Sequence, residues 1–464
     1  MNPISCYAAP ASRMRLALAA CILAACGSGE RATPATDSST ASGSGAAAAP
    51  ARATAGLRVP NGFMVTVFAD SLGGARHVAT APNGDVYVNT WRSPYDSTRE
   101  APAGGFVVAL RDTNGDARAD LIRRFGTTPQ SGSHGGTGIA LVDGALYVEV
   151  DSSIVRYRLA EGELVPPAPP ETIVAGLTTE GSHPMHPIVV DTMGNLFVDM
   201  GSATNACQVE DRQKESPGID PCTELRRRAG IWRFSALQKG QRYSPAARYA
   251  AGIRNAEGLA IGPHDGRLYA TQHGRDQLAE NWPALFDWKQ SANLPAEELL
   301  LVEKGTDYGW PYCYYDPGQQ RLVLAPEYGG DGKKVGRCSE KQGPIATYPA
   351  HWAPMALAFY TGSTFPEAYR GGAFIAFHGS WNRAPEPQEG YNVAFQPFAG
   401  GKPTGQYRVF ADGFAGSRKE PGLADHRPAG VAVGTDGALF ITDDQQGRVW
   451  RVSYGGESGE VAKR

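Results

Sequence analysis

The sequence predicts an all-β fold, a six-bladed β-propeller of four-stranded blades, on three observations. First, 57 Gly and 34 Pro among 464 residues make nearly one residue in five a breaker of regular structure. Second, one hairpin pattern recurs: a short apolar strand, a turn carrying Gly, then a strand alternating apolar and polar residues. Third, the turn glycines Gly84, Gly144, Gly194, Gly266, Gly372 and Gly437 are spaced by 60, 50, 72, 106 and 65 residues. Propeller blades commonly occupy about 40–50 residues, so these intervals suit blades with inserted loops.

The repeats read in order. Val78–Val88, Ile139–Val148, Ile188–Val198, Leu259–Tyr269 and Val431–Ile441 are clear copies, and a degenerate copy runs from Leu357 to Phe377. A Gly accepts the positive φ that tight hairpin turns require. Further strands follow the hairpins, such as Gly105–Leu110, Gly230–Phe234 and Gly447–Val452. A strand at Phe63–Phe68 is expected to close the ring with the last blade, which removes sheet edges. A β-sandwich has no need of six copies of one hairpin.

Composition sets the other bounds. The abundance of Gly and Pro argues against a helical bundle, and 8 Trp, 19 Tyr and 16 Phe, enough for a large core, argue against wholesale disorder. A formal charge of -3 gives no general electrostatic reason to bind nucleic acid or anionic membrane.

The amino terminus reads as an address. Arg13 and Arg15 precede the apolar run Leu16–Ala25, too short to span a bilayer, which needs about 20 apolar residues. Leu23-Ala-Ala-Cys26-Gly27 looks like a bacterial lipobox. Residues 1–25 are thus expected to be a lipoprotein signal peptide. Cys26 would carry the lipid, residues 26–56 would form a flexible tether, and the protein would sit exported, on the periplasmic face of a membrane. The propeller is expected over 57–455, with a polar tail at 456–464. Outside the signal and the anchor, four cysteines remain: Cys207, Cys222, Cys313 and Cys338. An even number in an oxidising compartment suggests disulfides. Of three connectivities, the local pairs Cys207–Cys222 and Cys313–Cys338 are the simplest.

Candidate chemistry flanks the repeated strands, where a propeller places its loops around a central funnel. Arg76 and His77 precede the first copy, Ser133-His134-Gly-Gly-Thr-Gly138 the second, and His183-Pro-Met-His186 the third. Arg254 and Asn255 precede the fourth and Gln272–Asp276 follows it. Phe377–Arg383 follows the degenerate copy, and His426 and Arg427 precede the last. Asp112-Thr-Asn114-Gly-Asp116 has the acidic spacing of a calcium-loop start without the later Glu, so a plain turn and a structural calcium site both fit. His183 and His186 are spaced H-x-x-H, but the prolines after both argue against a helical metal site and for cavity lining or hydrogen-bonded structure.

Four stretches carry a family resemblance: Gly252-Ile-Arg-Asn-Ala-Glu-Gly-Leu259, Lys304-Gly-Thr-Asp-Tyr-Gly-Trp-Pro311, Ala356-Leu-Ala-Phe-Tyr-Thr-Gly362 and Phe377–Arg383. Over roughly 57–455 the chain resembles the soluble quinoprotein glucose/sorbosone dehydrogenases, six-bladed propellers that use pyrroloquinoline quinone (PQQ) and calcium, and in particular sorbosone or pyranose dehydrogenase-like members. The resemblance implies oxidation of a sugar or sugar aldehyde, with electrons passed to an external cytochrome, quinone or dye. It implies cofactor contacts at Arg76, Arg254, Asn255, Arg427 and His378, with Trp381 offering an aromatic face. Arginine suits a tricarboxylate because its planar fork binds carboxylate bidentately.

The family's catalytic base maps onto His134, an imidazole able to take a hydroxyl proton near neutral pH. Relatives carry an acidic residue directly before this His, where Ser133 stands here. The calcium-binding carbonyls map onto Gly274 and Arg275, the latter often Pro in relatives. Two other classes compete: a calcium-dependent lactonase or esterase, which predicts a ring of Glu, Asn and Asp, and a non-catalytic extracellular sugar- or protein-binding propeller.

Overall fold

The computed structural model describes residues 55–91, 103–126 and 135–456, all within one compact unit. Cys26, His134, the proposed signal and tether up to residue 54, and the tail from residue 457 lie outside the described residues.

Six sheets, each with four antiparallel strands, follow one another along the chain, and the second gains a short fifth strand, Gln241–Arg242, parallel to Glu171–Ala175. Blade 1 holds Ala75–Thr80, Val86–Thr90, Val107–Arg111 and Leu121–Phe125; blade 2 runs Gly135–Val142, Ala145–Val150, Ser153–Arg158 and Glu171–Ala175. Blade 3 consists of Ile188–Val190, Asn195–Met200, Gly230–Ser235 and Arg248–Ala251, and blade 4 of Gly258–Ile261, Leu268–Gln272, Glu297–Val302 and Ala346–Tyr348. Blade 5 has Pro354–Phe359, Ala373–Phe377, Asn392–Gln396 and Arg408–Ala411. Blade 6 takes Pro428–Val433, Leu439–Asp443 and Val449–Tyr454 from late in the chain and Phe63–Ala69 from early in it, the last two paired from Phe63↔Tyr454 to Ala69↔Val449. The six hairpins are where the repeat predicted them. In blade 5 the left-handed turn residue is Gly371 (φ 72°) rather than Gly372, which packs under Phe395 where a Cβ would collide with the ring.

The core lies between blades and not inside any one of them. Each neighbouring pair shares a separate apolar cluster, for example Tyr87 and Val107 against Leu146 and Val148, or Phe374 and Phe395 against Ile441 and Trp450. Burying both faces of each sheet explains why second strands such as Val86–Thr90 and Ala145–Val150 are buried at every position. A single blade would expose both faces, so the ring is stable only when closed.

The long intervals in the repeat are two sets of insertions. Residues 201–229 interrupt blade 3, and residues 273–296 and 303–345 interrupt blade 4, the second carrying the hairpin Cys313–Asp316/Arg321–Leu324. Disulfides Cys207–Cys222 and Cys313–Cys338, the two local pairs, join these insertions in one apolar cluster with Trp310 and Tyr312. Among the described residues no helix is long and apolar enough to cross a membrane.

Candidate functional site

The inner strands of blades 1, 2, 5 and 6 each begin with a register shift against their neighbour, at Ala75/Val78, Gly135/Ile139, Pro354/Ala356 and Pro428/Gly430. Bulges of this kind re-aim a side chain out of the ladder. Together with the loops that leave the second strands, they line one end of the ring.

A cavity of about 450 Å³ opens there, walled by Arg212, Arg254, His183, His273, Asp276 and Trp381 among others. Arg254 is 3% exposed. Its guanidinium donates to the backbone and side-chain oxygens of Asn205 (3.2 and 3.0 Å) and to Asp276 Oδ2 (3.0 Å). Asp276 also receives Arg212 Nη2 (3.0 Å) and Asn382 Nδ2 (2.7 Å). Burial alone would raise the Asp276 pKa; Arg254, His351 and Arg212 together hold it well below the usual carboxylate range. His351 responds in the opposite sense: burial opposes its charge, but Asp276 raises its pKa above the ordinary histidine value.

Two cavity imidazoles are neutral at physiological pH. Burial, then Arg254, pushes His273 down to about 3, and the same causes hold His183 well below its ordinary value. His183 Nδ1 donates to the Ser202 carbonyl at 2.8 Å, which leaves the lone pair on Nε2. His186, the other half of the H-x-x-H pair, is structural: it bonds Glu149 (3.1 Å) and the Thr178 carbonyl (3.0 Å).

Around the ring a second cluster gathers on Asp444. It accepts Arg76 Nη1 at 2.7 Å and His378 Nε2 at 2.8 Å. Arg427 donates to the carbonyls of His378 (3.1 Å) and Gly379 (2.8 Å). Asp444 is held well below its ordinary value against the opposing effect of burial by His378, Arg76 and Arg427. His378 itself is lowered to about 4, by burial and then Arg427. Phe377–Arg383 bridges the two clusters, His378 reaching Asp444 and Asn382 reaching Asp276. Four guanidinium groups, Arg76, Arg212, Arg254 and Arg427, gather on this side of the ring, with Asp276 and Asp444 bonded among them and Asp211, Asp443 and the cavity carboxyl Glu297 close by.

The predicted residues thus divide. Arg254, Gly274 and Trp381 (53% exposed) line the cavity, and Arg76, His378 and Arg427 form the second cluster. Asn255 is buried behind Arg254 with Nδ2 on Glu257 at 3.3 Å. The Arg275 side chain turns away from the cavity to pair with buried Glu327 at 2.5 Å, where Trp282 Nε1 also donates (2.8 Å). Among the described residues nothing donates to the Gly274 and Arg275 carbonyl oxygens. Asp112, Asn114 and Asp116 cap their own loop: Asp112 accepts from the N–H groups of Asn114, Gly115 and Ala117, Asn114 from Asp116, and Asp116 from Arg118. Sequence reasoning gave no role to Asn205, Arg212, Asp276, His351 or Asp444. Only Asp276 had a signal, its place in the loop after the fourth hairpin.

Behind the cavity, burial pushes Glu298 up to about 8 and its neighbour Glu297 up to about 7. Both values exceed the ordinary 4.5, so the folded state holds more protons than the unfolded one between them, and stability falls as pH rises from 4.5 to 8. Glu298→Gln keeps a side-chain oxygen to accept from Gln272 Nε2 (2.9 Å in the native pair). It is expected to flatten that slope and to gain about 3 kcal/mol on wild type between pH 5 and pH 8.5. Urea denaturation at both pH values measures this, and parallel slopes would refute it.

The fold and the ring-mouth arginines place the chain in the class of six-bladed propellers with a cavity at one end of the ring. The family is specific: the model described as TrAA12-like matches residues 57–455, and the chain belongs to that family. An uncharacterized protein of Borreliella burgdorferi is 29% identical over 206 residues, 44% of this chain and 48% of that protein, so the chain spans about half the length of this relative. A pyrroloquinoline quinone-dependent sugar dehydrogenase of Hypocrea jecorina is 22% identical over 344 residues, 70% of this chain and 75% of the relative. The fold is similar to the holo form of the pyranose dehydrogenase PQQ domain from Coprinopsis cinerea, with a TM-score of 0.67 at 17% identity over 86% of this chain and 97% of that one.

Proposed function

We propose that this protein is a PQQ-dependent dehydrogenase of sugars or sugar aldehydes, exported and tethered to a membrane through lipid on Cys26. The observation that carries the reading is the grouping of Arg76, Arg212, Arg254 and Arg427 at one end of the ring, beside the half-exposed Trp381. The donor set fits PQQ: arginine forks for three carboxylates, an aromatic face for a flat ring, and free carbonyl oxygens at Gly274 and Arg275 for its calcium.

When bound, PQQ with its calcium supplies the two-electron acceptor for hydride leaving the sugar carbon. The protein's part is to bind, orient and move one proton. Arg254 and Arg427, with His378 and Arg76, fix the carboxylates, and Asn255 backs Arg254 from behind. Asp276 bonds Arg254, Arg212 and Asn382, so that the anion would meet donors already oriented. His134 takes the hydroxyl proton. The strand beginning at Gly135 is fastened by Glu149, which accepts from the N–H groups of Thr137 and Gly138. Electrons then pass to an external cytochrome, quinone or dye.

The competing lactonase reading needs carboxylates open to water. Glu149, Asp199 and Glu257 do gather near the propeller axis, but all are at most 2% exposed and none lines the cavity.

Reconstitution of the PQQ-free protein with PQQ and calcium, assayed by dye reduction on aldoses and sorbosone, tests the reading. Dehydrogenase activity dependent on PQQ is expected, and His134→Ala is expected to lower kcat at least about 100-fold with PQQ affinity kept. Absence of both activity and PQQ-dependent stabilisation would sink the quinoprotein assignment. Full activity in His134→Ala, abolished instead by His183→Ala, would move the base to His183.

A further inference from the structure

One position recurs in all six second strands, directly after the central apolar residue: Asn89, Glu149, Asp199, Thr271, Ala376 and Thr442. Four of them tie their blade to the next inner strand. Asn89 donates to the Gly138 carbonyl (2.9 Å), Glu149 accepts from His186 N (2.7 Å), Thr271 donates to the Pro354 carbonyl (3.1 Å) and Thr442 to the Arg76 carbonyl. Ala376 has no polar atom to offer. Asp199 is the anomaly: it is 0% exposed, and neither carboxylate oxygen has a hydrogen-bond partner.

Its surroundings sharpen the anomaly. Glu257 is 1% exposed and its Oε2 is likewise unpartnered, as is Oδ1 of Asn255, whose amide nitrogen is hooked to Glu257 Oε1. Glu149 shows what a satisfied carboxylate looks like here, accepting from Thr137 N, Gly138 N, His186 N and His186 Nδ1. The nearby arginine, Arg76, is engaged by Asp444. Asp199 and Glu257 are thus two buried carboxylates that repel each other, opposed by the backbone N–H groups of Ala256 and Met200 beside Asp199 and by the charge of Arg76 near Glu257, an arrangement that stays unfavourable unless something further neutralises it.

We propose that Asp199, Glu257 and Asn255 form a binding site for one hard divalent cation on the propeller axis, separate from the cofactor's calcium. Together these side chains offer four unpartnered oxygen atoms and two acidic groups, the ligand chemistry that calcium takes, the balance of its six to eight ligands coming from water or backbone. The ion does at this blade junction what hydrogen bonds do at four of the others: it joins the second strand of blade 3 to the entry of blade 4. The repulsion of Asp199 by Glu257 and Glu149, which with burial raises the Asp199 pKa well above normal, is the force such an ion would cancel.

The test uses full-length, PQQ-free protein with its disulfides intact, so that the cofactor's calcium has no quinone to join. After unfolding in guanidinium and refolding in calcium chloride or EDTA, metal content is read by mass spectrometry after gel filtration. Wild type refolded with calcium is expected to keep one ion per chain that Asp199→Asn and Glu257→Gln each lose, and to melt about 5 °C higher than in EDTA. Both variants should have one Tm, the same in calcium and EDTA. If Asp199→Asn fails to fold, Glu257→Gln and the wild-type stoichiometry still decide. No retained ion in wild type, or an ion retained equally by the variants, would overturn the proposal and leave the pair as neutral carboxylic acids. PQQ titration of the same preparations is scored separately, so either reading can fail without the other.

Discussion

Arg254→Lys is expected to weaken PQQ binding about 100-fold, with the fold intact. The guanidinium of Arg254 does several things at once: it donates to both oxygens of Asn205, which orient it, it pairs with Asp276, and it lines the cavity. Lysine keeps the charge but loses the planar fork, which is the part that matches a carboxylate in two places. A loss of about 2–3 kcal/mol corresponds to that factor. Asp276 is not left bare in the variant, because Arg212 also bonds it at 3.0 Å. Titration of the apoprotein with PQQ in calcium, alongside a melting curve, measures both quantities. Unchanged affinity would remove Arg254 from the cofactor site; a collapsed melting temperature with normal affinity would make it a purely structural residue.

Glu149→Gln is expected to cost about 3 kcal/mol of stability. The carboxylate accepts four hydrogen bonds, from Thr137 and Gly138 in the first strand of blade 2 and from His186 just ahead of blade 3, at 2.7, 2.8, 2.7 and 3.1 Å. Glutamine turns an NH2 group toward N–H donors and strands them, and an unsatisfied buried donor is worth about 1–3 kcal/mol. The pH dependence has a definite sign. Burial works against the charge, but His186 and the N–H groups of Gly138 and Thr137 hold the Glu149 pKa below 4.5. Its contribution is complete above 4.5 and is lost as pH falls through the folded-state value. The gap between wild type and variant, read from urea midpoints, should therefore narrow in acid. A gap independent of pH down to the acid limit would mean that the charge of Glu149 does not matter.

Much of the architecture was legible in the chain because it is written locally. A Gly at each turn and alternation in the strand after it are short-range signals, and they located six hairpins and the closing strand. The disulfides were readable for the same reason, since each joins cysteines within one insertion, 15 and 25 residues apart. In blade 5 the local signal was off by one residue, because the long connection from Phe359 to Ala373 ends on two adjacent glycines. The site was half legible. Arg254 and Trp381 adjoin hairpins, so position alone exposed them. Asp444 was not, because its meaning lies in Arg76, 368 residues away, and no periodicity links the two. Arg275 misled in part: its loop position is that of the cavity, but its side chain is drawn off by Glu327, deep in an insertion that obeys no repeat. The unsatisfied oxygens of Asp199 were equally invisible, since a lone Asp at the end of an apolar strand resembles any hairpin residue.

The pairing of Phe63–Ala69 with Val449–Tyr454 has a consequence for how the molecule is made. On the ribosome the early strand emerges first and finds no partner until nearly four hundred further residues have been synthesised. Blades 1 to 5 can assemble in sequence, each against its predecessor, but the circle stays open and its two end faces stay wet. Contacts of such long range are the slow ones to form. An export route that delivers the chain unfolded, and releases it all at once, suits this topology, because the clasp has both halves available from the first moment of folding.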